Sequence, residues 1–584
     1  MEPGVQKLVE EWLNPPYDEE TRNEIKKLLE AGNEKELEDR FYTELEFGTG
    51  GLRGIIGAGT NRMNIYSVRK ATQGLANFII KKGAKAKGVV IGRDSRLFSD
   101  RFALETASVL LANGIKVFYF EDIHPTPLVS YAVRKLGAVA GVMITASHNP
   151  KEYNGYKVFW SDGGQVVPPE DKEIIEEVKK IKSINDVKTL PVEILKSHFL
   201  FEIIDSKIDP LYLEEVKTLS LNTQINSNSD IKICYTPLYG TGYKLIPSSL
   251  KNFGFKNVFI VEKQAIPDGN FPDAPYPNPE IPEAMQTGLK YAQEKGGDVL
   301  LASDPDADRI GVMIKNRDGS YELLNGNQIG CLLLYYLLTS LREKNKLPAN
   351  PKVVTTIVTT RLLIEIAKDF NVSVDEVLTG FKWIAQKIKQ YETSGKNFIF
   401  GCEESHGYLA GTFVRDKDAI IASSLFAELV AYYKNKGKTM DEVLEEIYLK
   451  YGYFKESQKS IEAAGKEGLE KIKNFMEKLR KEPLKNTKSF KLVSIYDIKN
   501  KKAFNFEKNC EIEPLDLPVS DVVIMNFTDN CSIIARPSGT EPKIKFYFST
   551  SGKIKDGESL KELKERIENF HITLRNEFLE NLIL

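Results

Sequence analysis

The sequence has few cysteines, and they show none of the spacings by which cysteines usually act together. Five cysteines occur in 584 residues, an odd number without any CxxC pair. A disulfide framework or a zinc cluster needs paired or closely spaced cysteines, so the sequence favours neither. Unpaired thiols are typical of a reducing compartment, and the sequence therefore predicts a cytoplasmic protein.

Long apolar runs and an excess of one charge are also missing. The most apolar stretch, IGCLLLYYLLTSL at 329–341, is shorter than the roughly 18 residues of a membrane span and predicts a buried helix. The first residues, MEPGVQKLVEEW, lack the apolar centre of a signal peptide. A net charge of −2 gives no general attraction to nucleic acid or anionic membranes, so we expect neither as a partner.

What the sequence does have is a repeated alternation of strand and helix patterns. Residues 88–144 predict strand, helix, strand, helix, strand, with the first helix capped by Ser99. This order favours a parallel sheet with right-handed crossovers. Similar patterns follow at 230–261, 297–309 and 352–407, which predicts an α/β fold.

The predicted domain boundaries follow this alternation. We expect α/β domains at 1–205, 206–320 and 321–450, and a smaller C-terminal α+β domain at 451–584. Within the last, the Lys/Glu-rich segment 455–500 predicts helix or linker. Residues 531–550 predict two strands around a loop, and a helix with one apolar face follows from 558.

The motif TASHNP at 145–150 places Ser147 beside His148 directly after a predicted strand. Ligands bind at the carboxyl ends of strands in such sheets, which favours a functional loop over an ordinary turn. A serine hydrolase would need GxSxG or a comparable arrangement, which Ser147 lacks. Neighbouring side chains in an extended loop point apart, so we expect His148 to be poorly placed to deprotonate Ser147. A phosphate-bearing serine is the other interpretation.

The motif SDPDADR at 303–309 is the strongest chemical signal. It places Asp304, Asp306 and Asp308 at alternate positions, which face one side of an extended chain. Three such carboxylates repel one another unless a cation lies between them, and oxygen ligands suit Mg²⁺. A solvated acidic turn is the alternative. An EF-hand is excluded, because the glycine and glutamate of its loop are missing.

The motif RPSGTEPK at 536–543 has the composition of a phosphate-binding turn. It offers two cations, two hydroxyls and a glycine, namely Arg536, Lys543, Ser538, Thr540 and Gly539. No Walker motif is present, and a charged hairpin tip is the alternative. The segment GTGGLRG adds a second glycine-rich turn with Arg53. Serine, acidic loop and phosphate-binding turn together indicate phosphoryl transfer through a phosphoserine.

Five motifs, TASHNP, NGYK, DPDADR, CEESHG and RPSGTEPK, occur in this order between Gly48 and Lys543. In this set the chain resembles the α-D-phosphohexomutases, specifically the phosphoglucomutase/phosphomannomutase family. Its extended NPKEYNGYKVFW segment and long N-terminal lead are similar to the larger phosphoglucomutase/phosphopentomutase branch. Cys402 stands where many members have glycine, which leaves the shape of the sugar-binding loop open.

The resemblance implies four domains around a central cleft and assigns roles to single residues. Ser147 would carry the phosphate, and Mg²⁺ would be held by that phosphate and the three aspartates. Substrate would meet Arg53, Lys157 and Arg309 at the reacting phosphate, Thr379, Lys382, Glu403, Ser405 and Lys417 at the sugar, and the 536–543 loop at the second phosphate. The general base would be Lys157, with its pKa lowered by neighbouring cations, or His148.

The resemblance also implies a reaction. A phosphoglucomutase interconverts glucose 1-phosphate and glucose 6-phosphate through a bisphosphorylated sugar such as glucose 1,6-bisphosphate. Phosphopentomutase and phosphomannomutase activities are alternatives with the same mechanism, in a monomer or a dimer. A metal-dependent phosphatase would not need the second phosphate site. A non-catalytic phosphosugar-binding protein would have little need for Ser147 and all three aspartates.

Overall fold

The computed structural model describes residues 1–46, 51–462, 465–484, 487–538, 543–580 and 582. Its α-helices are α1 Pro3–Trp12, α2 Glu19–Glu30, α3 Glu34–Phe41, α4 Ile65–Lys81, α5 Ser99–Ala112, α6 Thr126–Leu136, α7 Glu170–Lys179, α8 Asp205–Lys217, α9 Thr223–Asn228, α10 Gly242–Asn252, α11 Glu262–Ala265, α12 Pro282–Lys295, α13 Gly326–Glu343, α14 Leu362–Asp369, α15 Phe381–Ser394, α16 Ala419–Asn435, α17 Met440–Tyr451, α18 Gly465–Lys481 and α19 Leu560–Glu580.

The strands of the described residues form four sheets. They are β1 Leu52–Ile55, β2 Val89–Arg93, β3 Val117–Tyr119, β4 Ala140–Ile144, β5 Tyr153–Trp160, β6 Phe201–Ile203, β7 Lys232–Thr236, β8 Asn257–Ile260, β9 Val299–Ser303, β10 Ile310–Lys315, β11 Tyr321–Leu324, β12 Pro351–Thr356, β13 Ser373–Val377, β14 Asn397–Glu403, β15 Gly407–Ala410, β16 Tyr453–Glu462, β17 Leu492–Asp497, β18 Lys502–Asn505, β19 Cys510–Glu511, β20 Val523–Phe527, β21 Cys531–Pro537 and β22 Lys543–Gly552.

The first sheet contains the predicted strand–helix alternation and has the order β1-β5-β4-β2-β3-β6. Strands β4, β2, β3 and β6 are parallel to one another. Strand β5 pairs antiparallel with β4, and β1 pairs antiparallel with β5. The sheet is therefore mixed. Its central strands are buried throughout, as a parallel sheet covered on both faces requires. Ser99 is the first residue of α5 and not its cap, because the N-cap is Phe98 at φ 64°.

The second sheet has the order β11-β10-β9-β7-β8. Strands β9, β7 and β8 are parallel, and β9, β10 and β11 pair antiparallel. The turn between β9 and β10 is the SDPDADR segment, so a hairpin presents the three aspartates. Helix α10, which connects β7 to β8, packs against α16.

A third sheet has the order β13-β12-β14-β15, with β12 and β13 parallel. The apolar stretch predicted as a buried helix lies within α13, where Ile329, Leu332 and Leu334 are fully buried. Among the described residues, no helix is both long enough and apolar enough to cross a bilayer.

The C-terminal sheet is antiparallel and has the order β16-β22-β21-β20-β17-β18-β19. The predicted strand pair at 531–550 is confirmed as β21 and β22, and the closing helix as α19. The prediction of helix or linker for 455–500 is wrong in part, because it contains most of β16 and all of β17. Strand β16 pairs with β22 over ten residues, but its polar side chains give no apolar alternation to mark it.

The three mixed sheets with their helices and the antiparallel C-terminal sheet confirm the predicted α/β fold class. The described chain divides into two compact units, each made of several segments. One comprises Met1–Gly326, Phe381–Gly401 and Ser405–Gly437, and the other Asn327–Gly380, Cys402–Glu404 and Lys438–Leu584. The domain boundaries given above stay predictions.

A buried carboxylate in the second unit links two of its elements. Glu456 of β16 accepts a hydrogen bond of 3.2 Å from Asn327 Nδ2, and Asn327 Oδ1 accepts one of 3.1 Å from the Thr360 amide. Burial raises the pKa of Glu456 to about 7. Ionising this side chain in the folded protein is therefore unfavourable.

We predict that Glu456→Gln changes how stability depends on pH. Between pH 4.5 and 7 the folded protein binds more protons at Glu456 than the unfolded chain, so this group lowers stability as pH rises. A pKa raised from 4.5 to about 7 corresponds to up to about 3 kcal/mol above pH 7. In thermal melting, the melting temperature of the variant relative to that of the parent should be higher at pH 8 than at pH 5. Glu511→Gln, at an exposed site, should show no such gain.

Candidate active site

Ser147 lies in the loop that follows β4, at the carboxyl end of a central strand. Its side chain is buried, at 3% relative exposure, and its Oγ donates a hydrogen bond of 2.8 Å to Asp304 Oδ2. The Ser147 amide donates to Thr145 Oγ1 at 2.8 Å. Its φ of 53° is a left-handed conformation that non-glycine residues seldom adopt. The predicted nucleophile and the first predicted metal ligand are therefore in direct contact.

The expectation that Ser147 and His148 point apart is wrong. His148 Nδ1 lies 3.2 Å from Ser147 Oγ. The left-handed φ of Ser147 breaks the extended conformation on which the expectation rested. Burial, followed by the charges of Arg309 and Arg53, lowers the pKa of His148 well below its usual value. The imidazole beside Ser147 Oγ is therefore uncharged at neutral pH.

Arg96 holds the Ser147 loop, and the sequence analysis missed it. One buried guanidinium donates to the carbonyl oxygens of Ser147, Asn149, Pro150 and Tyr153, at 2.6 Å for Ser147 and 2.8 Å for Pro150. Asp94, also fully buried, lies 3.3 Å from Arg96 Nε. The segment DSR at 94–96 directly follows β2 at its carboxyl end, where ligands bind, and this position was the available signal.

We predict that Arg96→Lys lowers turnover by about tenfold or more. An ammonium retains the charge but cannot reach four carbonyl groups with the planar geometry of a guanidinium. Stopped assays should show the loss in kcat, while circular dichroism shows a folded protein. Arg101→Lys, on an exposed face of the neighbouring helix, is the matched control and should retain parental turnover. Parental kcat in Arg96→Lys would contradict a positioning role.

The three predicted metal ligands converge. Asp304, Asp306 and Asp308 are buried, and one carboxylate oxygen from each lies within 4.8 Å of the others. The predicted reason is wrong, however, because the segment forms a turn in which Ala307 has φ 49°. Asp304 Oδ1 accepts hydrogen bonds from the amides of Asp308 and Arg309, at 3.1 and 3.0 Å, which fixes this turn. We call these three residues the acidic cluster.

Two lysines partly neutralise the acidic cluster. Lys157 Nζ lies 2.7 Å from Asp306 Oδ2 and 3.1 Å from Asp308 Oδ2. Lys417 Nζ lies 2.7 Å from Asp308 Oδ2, so it contacts the acidic cluster, although the resemblance assigned it to the sugar. Burial alone lowers the pKa of Lys157, but the two carboxylates outweigh this effect and raise it. The prediction of a lowered pKa is therefore wrong.

The acidic cluster fits a hard divalent cation. Asp306 Oδ1 and Asp308 Oδ1 are buried without a hydrogen-bond partner among the described residues. Burial and the neighbouring Asp306 and Asp308 charges raise the pKa of Asp304 well above its usual range. A third charge is therefore unfavourable here without a further cation. Oxygen ligands of this kind suit Mg²⁺.

Two more contacts surround the acidic cluster. Thr126, the first residue of α6, donates from Oγ1 to Asp306 Oδ2 at 2.7 Å and from its amide to the Asp306 carbonyl at 2.9 Å. Arg309 Nη1 pairs with Glu280 Oε1 at 2.5 Å, and Arg309 Nε lies 3.9 Å from Asp308 Oδ1. Thr126 and Glu280 come from distant segments of the chain, and no sequence pattern indicated either of them.

The predicted sugar-binding residues occur in both units. In the second unit, Glu403 is buried and its Oε1 accepts a hydrogen bond of 2.7 Å from the Gly380 amide, beside half-buried Thr379. Glu404, which the prediction omitted, accepts hydrogen bonds from the hydroxyls of Thr356 and Thr359.

In the first unit, Ser405 is half-buried, and Lys382 Nζ lies 5.2 Å from the centre of the Trp383 ring. Arg53 is exposed and donates to Asn149 Oδ1 at 3.2 Å, within the loop that carries Ser147. Arg53 therefore lies at that loop, and the sugar-binding roles of Lys382 and Ser405 stay predictions.

The predicted phosphate-binding turn joins β21 to β22. Its described ends are closed by a hydrogen bond of 2.7 Å from the Ser538 amide to the Lys543 carbonyl. Arg536 is half-buried, and Lys543 Nζ lies 3.4 Å from Glu462 Oε1. Gly539 and Thr540, which were also predicted to bind phosphate, lie outside the described residues.

Three profiles of phosphoglucomutase/phosphomannomutase α/β/α domains match the chain, domain I at 44–185, domain II at 210–319 and domain III at 325–451. The chain belongs to this family. The resemblance stated from the sequence motifs is thereby confirmed, and so is the kind of fold that it implied.

Relatives within the family carry more than one activity name. A phosphoglucomutase of Staphylococcus haemolyticus is 37% identical over 88% of this chain and 91% of its own length. A phosphopentomutase of Pongo abelii is 33% identical over 92% and 90%. The Paramecium phosphoprotein parafusin, a phosphoglucomutase solved in an open form, shares the fold with a TM-score of 0.65 at 20% identity, over 90% of this chain and 94% of its own.

Proposed function

We propose that this family member is a phosphoglucomutase that interconverts glucose 1-phosphate and glucose 6-phosphate through phospho-Ser147. The observation that carries the proposal is the 2.8 Å contact between Ser147 Oγ and Asp304 Oδ2. It places a hydroxyl that can carry phosphate against three carboxylates that can hold a metal. Phosphoglucomutase relatives at 36–37% identity support glucose phosphates as the substrate, and phosphopentomutase relatives at 33% keep pentose phosphates as the alternative.

The proposed reaction has two phosphoryl transfers. A free sugar hydroxyl loses its proton and attacks phosphorus on phospho-Ser147, the bond between phosphorus and Oγ breaks, Oγ takes up a proton, and a bisphosphorylated sugar forms. After the sugar turns over, Ser147 Oγ loses its proton and attacks the other phosphorus, the bond between that phosphorus and the sugar oxygen breaks, and the freed sugar oxygen takes up a proton. Neutral His148, with Nδ1 3.2 Å from Oγ, supports the role of proton acceptor better than charged Lys157 does.

Asp304, Asp306 and Asp308 would hold Mg²⁺ together with an oxygen of the Ser147 phosphate. A metal there supplies charge stabilisation for the phosphate oxygens during transfer. Charge balance supports this assignment, because a dianionic phosphate beside three carboxylates needs further positive charge. Lys157, Lys417, Arg309 and Arg53 are proposed to orient and neutralise the reacting phosphate.

The phosphate that is not reacting is proposed to bind Arg536, Ser538, Gly539, Thr540 and Lys543. A separate site makes chemical sense, because either phosphate of the intermediate must be held while the other is transferred. Glu403 and Ser405, with Thr379 and Lys382, are proposed to bind the sugar hydroxyls. The 2.7 Å bond from the Gly380 amide supports a fixed orientation for Glu403.

We predict that Arg536→Ala and Lys157→Ala affect different kinetic constants. Contacts to the distal phosphate are similar in ground and transition states, so losing Arg536 should raise KM by on the order of tenfold or more. Losing Lys157, which faces the reacting phosphate, should mainly lower kcat. Saturation curves and single-turnover rates measure both effects. An unchanged KM in Arg536→Ala would remove the 536–543 loop from the site.

Product analysis tests the proposed activity. The protein is incubated with glucose 1-phosphate, Mg²⁺ and a trace of glucose 1,6-bisphosphate, which also serves as activator. Glucose 6-phosphate is expected, whereas free phosphate would identify a phosphatase and no product a binding protein. Mannose and ribose phosphates measured in parallel decide the preferred sugar.

We also propose domains at 1–205, 206–320, 321–450 and 451–584, supported by the ranges of the three family matches. A cytoplasmic location is supported by the five cysteines, all of which are free thiols. Limited proteolysis and light scattering test the boundaries and the proposed monomer or dimer.

A further inference from the structure

A cavity of about 330 Å³ in the second unit gathers polar side chains from five separate segments. They are Arg361 before α14, Glu376 of β13, Tyr496 of β17, Asp516 between β19 and β20, and Ser532 of β21. Asn526 of β20 also lines the cavity and donates to Ser494 Oγ at 3.0 Å. None of the residues assigned above to phosphoryl transfer or sugar binding lines this cavity. It is therefore separate from the proposed reaction site.

These five side chains form no hydrogen bond or ion pair with any described residue; Arg361 and Asp516 are exposed, and Glu376, Tyr496 and Ser532 are half-buried, so all five are accessible to a ligand. Burial raises the pKa of Glu376, and the charge of Arg361 acts in the opposite direction. The two groups thus influence each other across the cavity without forming an ion pair. A ligand with both donors and acceptors would satisfy all of them.

We propose that this cavity binds an uncharged sugar. The carboxylates of Glu376 and Asp516 can accept hydrogen bonds from neighbouring sugar hydroxyls, while Arg361 and Ser532 can donate to sugar oxygens. Tyr496 offers a ring face for the apolar side of a pyranose, and Ile524 and Ile534 extend that surface.

Charge and size favour this ligand over a phosphosugar. Two carboxylates and one guanidinium give the lining a net charge of −1, which opposes a phosphate dianion. The volume is near the lower end of small-molecule sites, about 300–1,000 Å³, and so suits one or two sugar rings. The sugar could be a free hexose or the exposed end of a glucan.

Calorimetric titration of full-length Ser147→Ala protein with glucose, maltose and glycogen tests the proposal. Saturating glucose 6-phosphate is present throughout, so that the reaction site is filled and no turnover occurs. We expect saturable binding of at least one of these carbohydrates. Binding of glucose or maltose identifies a free sugar, and binding of glycogen alone identifies a glucan end.

Variants of the cavity make the test specific. Glu376→Gln, which removes a carboxylate, and Tyr496→Leu, which removes the ring face, should each weaken binding by about tenfold. Glu507→Gln, at an exposed position outside the cavity, should leave it unchanged. No saturable binding, or equal binding by all variants, would overturn the proposal without touching the proposed mutase activity. Binding that appears only when glucose 6-phosphate is left out would place the signal in the reaction site and would overturn the proposal as well.

Discussion

Ser147→Ala is expected to lower mutase turnover by on the order of 10⁴-fold or more. Alanine cannot carry the phosphate, because it lacks the hydroxyl that lies 2.8 Å from Asp304 Oδ2. The initial rate of glucose 6-phosphate formation measures the effect. Intact-mass analysis should show a fraction of the parent protein about 80 Da heavier, the mass of one phosphoryl group, and no such fraction in the variant.

Ser161→Ala is the matched control for this experiment, because Ser161 is exposed and directly follows β5 of the same sheet. It should retain both parental turnover and the heavier fraction. If Ser147→Ala kept parental activity, the phosphoserine mechanism would be wrong, whatever the sugar preference. Peptide mapping that placed the phosphate on another residue would contradict the assignment in a second way.

Asp306→Asn and Asp308→Asn are each expected to lower turnover by on the order of 10²-fold or more. Each substitution removes one charge from the metal site and loses a preorganised contact to the transition state. Each also removes a carboxylate partner of Lys157. Turnover measured across a Mg²⁺ titration should show a higher Mg²⁺ requirement together with a lower maximum.

The control for the acidic cluster is Asp556→Asn, at an exposed site in the C-terminal region, which should behave as the parent does. Thermal melting separates loss of the metal site from loss of the fold. Chelation should abolish parental activity, and Mg²⁺ should restore it. Activity that survived thorough chelation would contradict the proposed metal site.

Motifs that follow strands were the most informative part of the sequence. A buried strand before TASHNP and another before SDPDADR predicted that Ser147 and the acidic cluster lie at the carboxyl ends of strands, and both do. The strand–helix pattern around them also predicted the α/β fold. Apolar periodicity marks such elements because their burial is regular.

Contacts between distant segments were beyond such reasoning. Nothing in the residues around Arg96 shows that its side chain contacts four carbonyl groups more than 50 residues later in the chain. The left-handed φ values of Ser147 and Ala307 likewise depend on tertiary contacts. Because of the φ of Ser147, its side chain lies next to that of His148, whereas the sequence predicted that the two side chains point apart. The protonation of Lys157 followed from the two aspartates it meets and not from its sequence neighbours.

Transfer of label from Ser147 tests the central claim most directly. Protein labelled on Ser147 by radioactive glucose 1,6-bisphosphate is mixed with unlabelled glucose 1-phosphate and quenched within one turnover. We predict that label leaves Ser147 and appears in equal amount in the sugar bisphosphate. On longer incubation it should reach glucose 6-phosphate. Label released as inorganic phosphate, or retained on the protein, would contradict a mutase that works through phospho-Ser147.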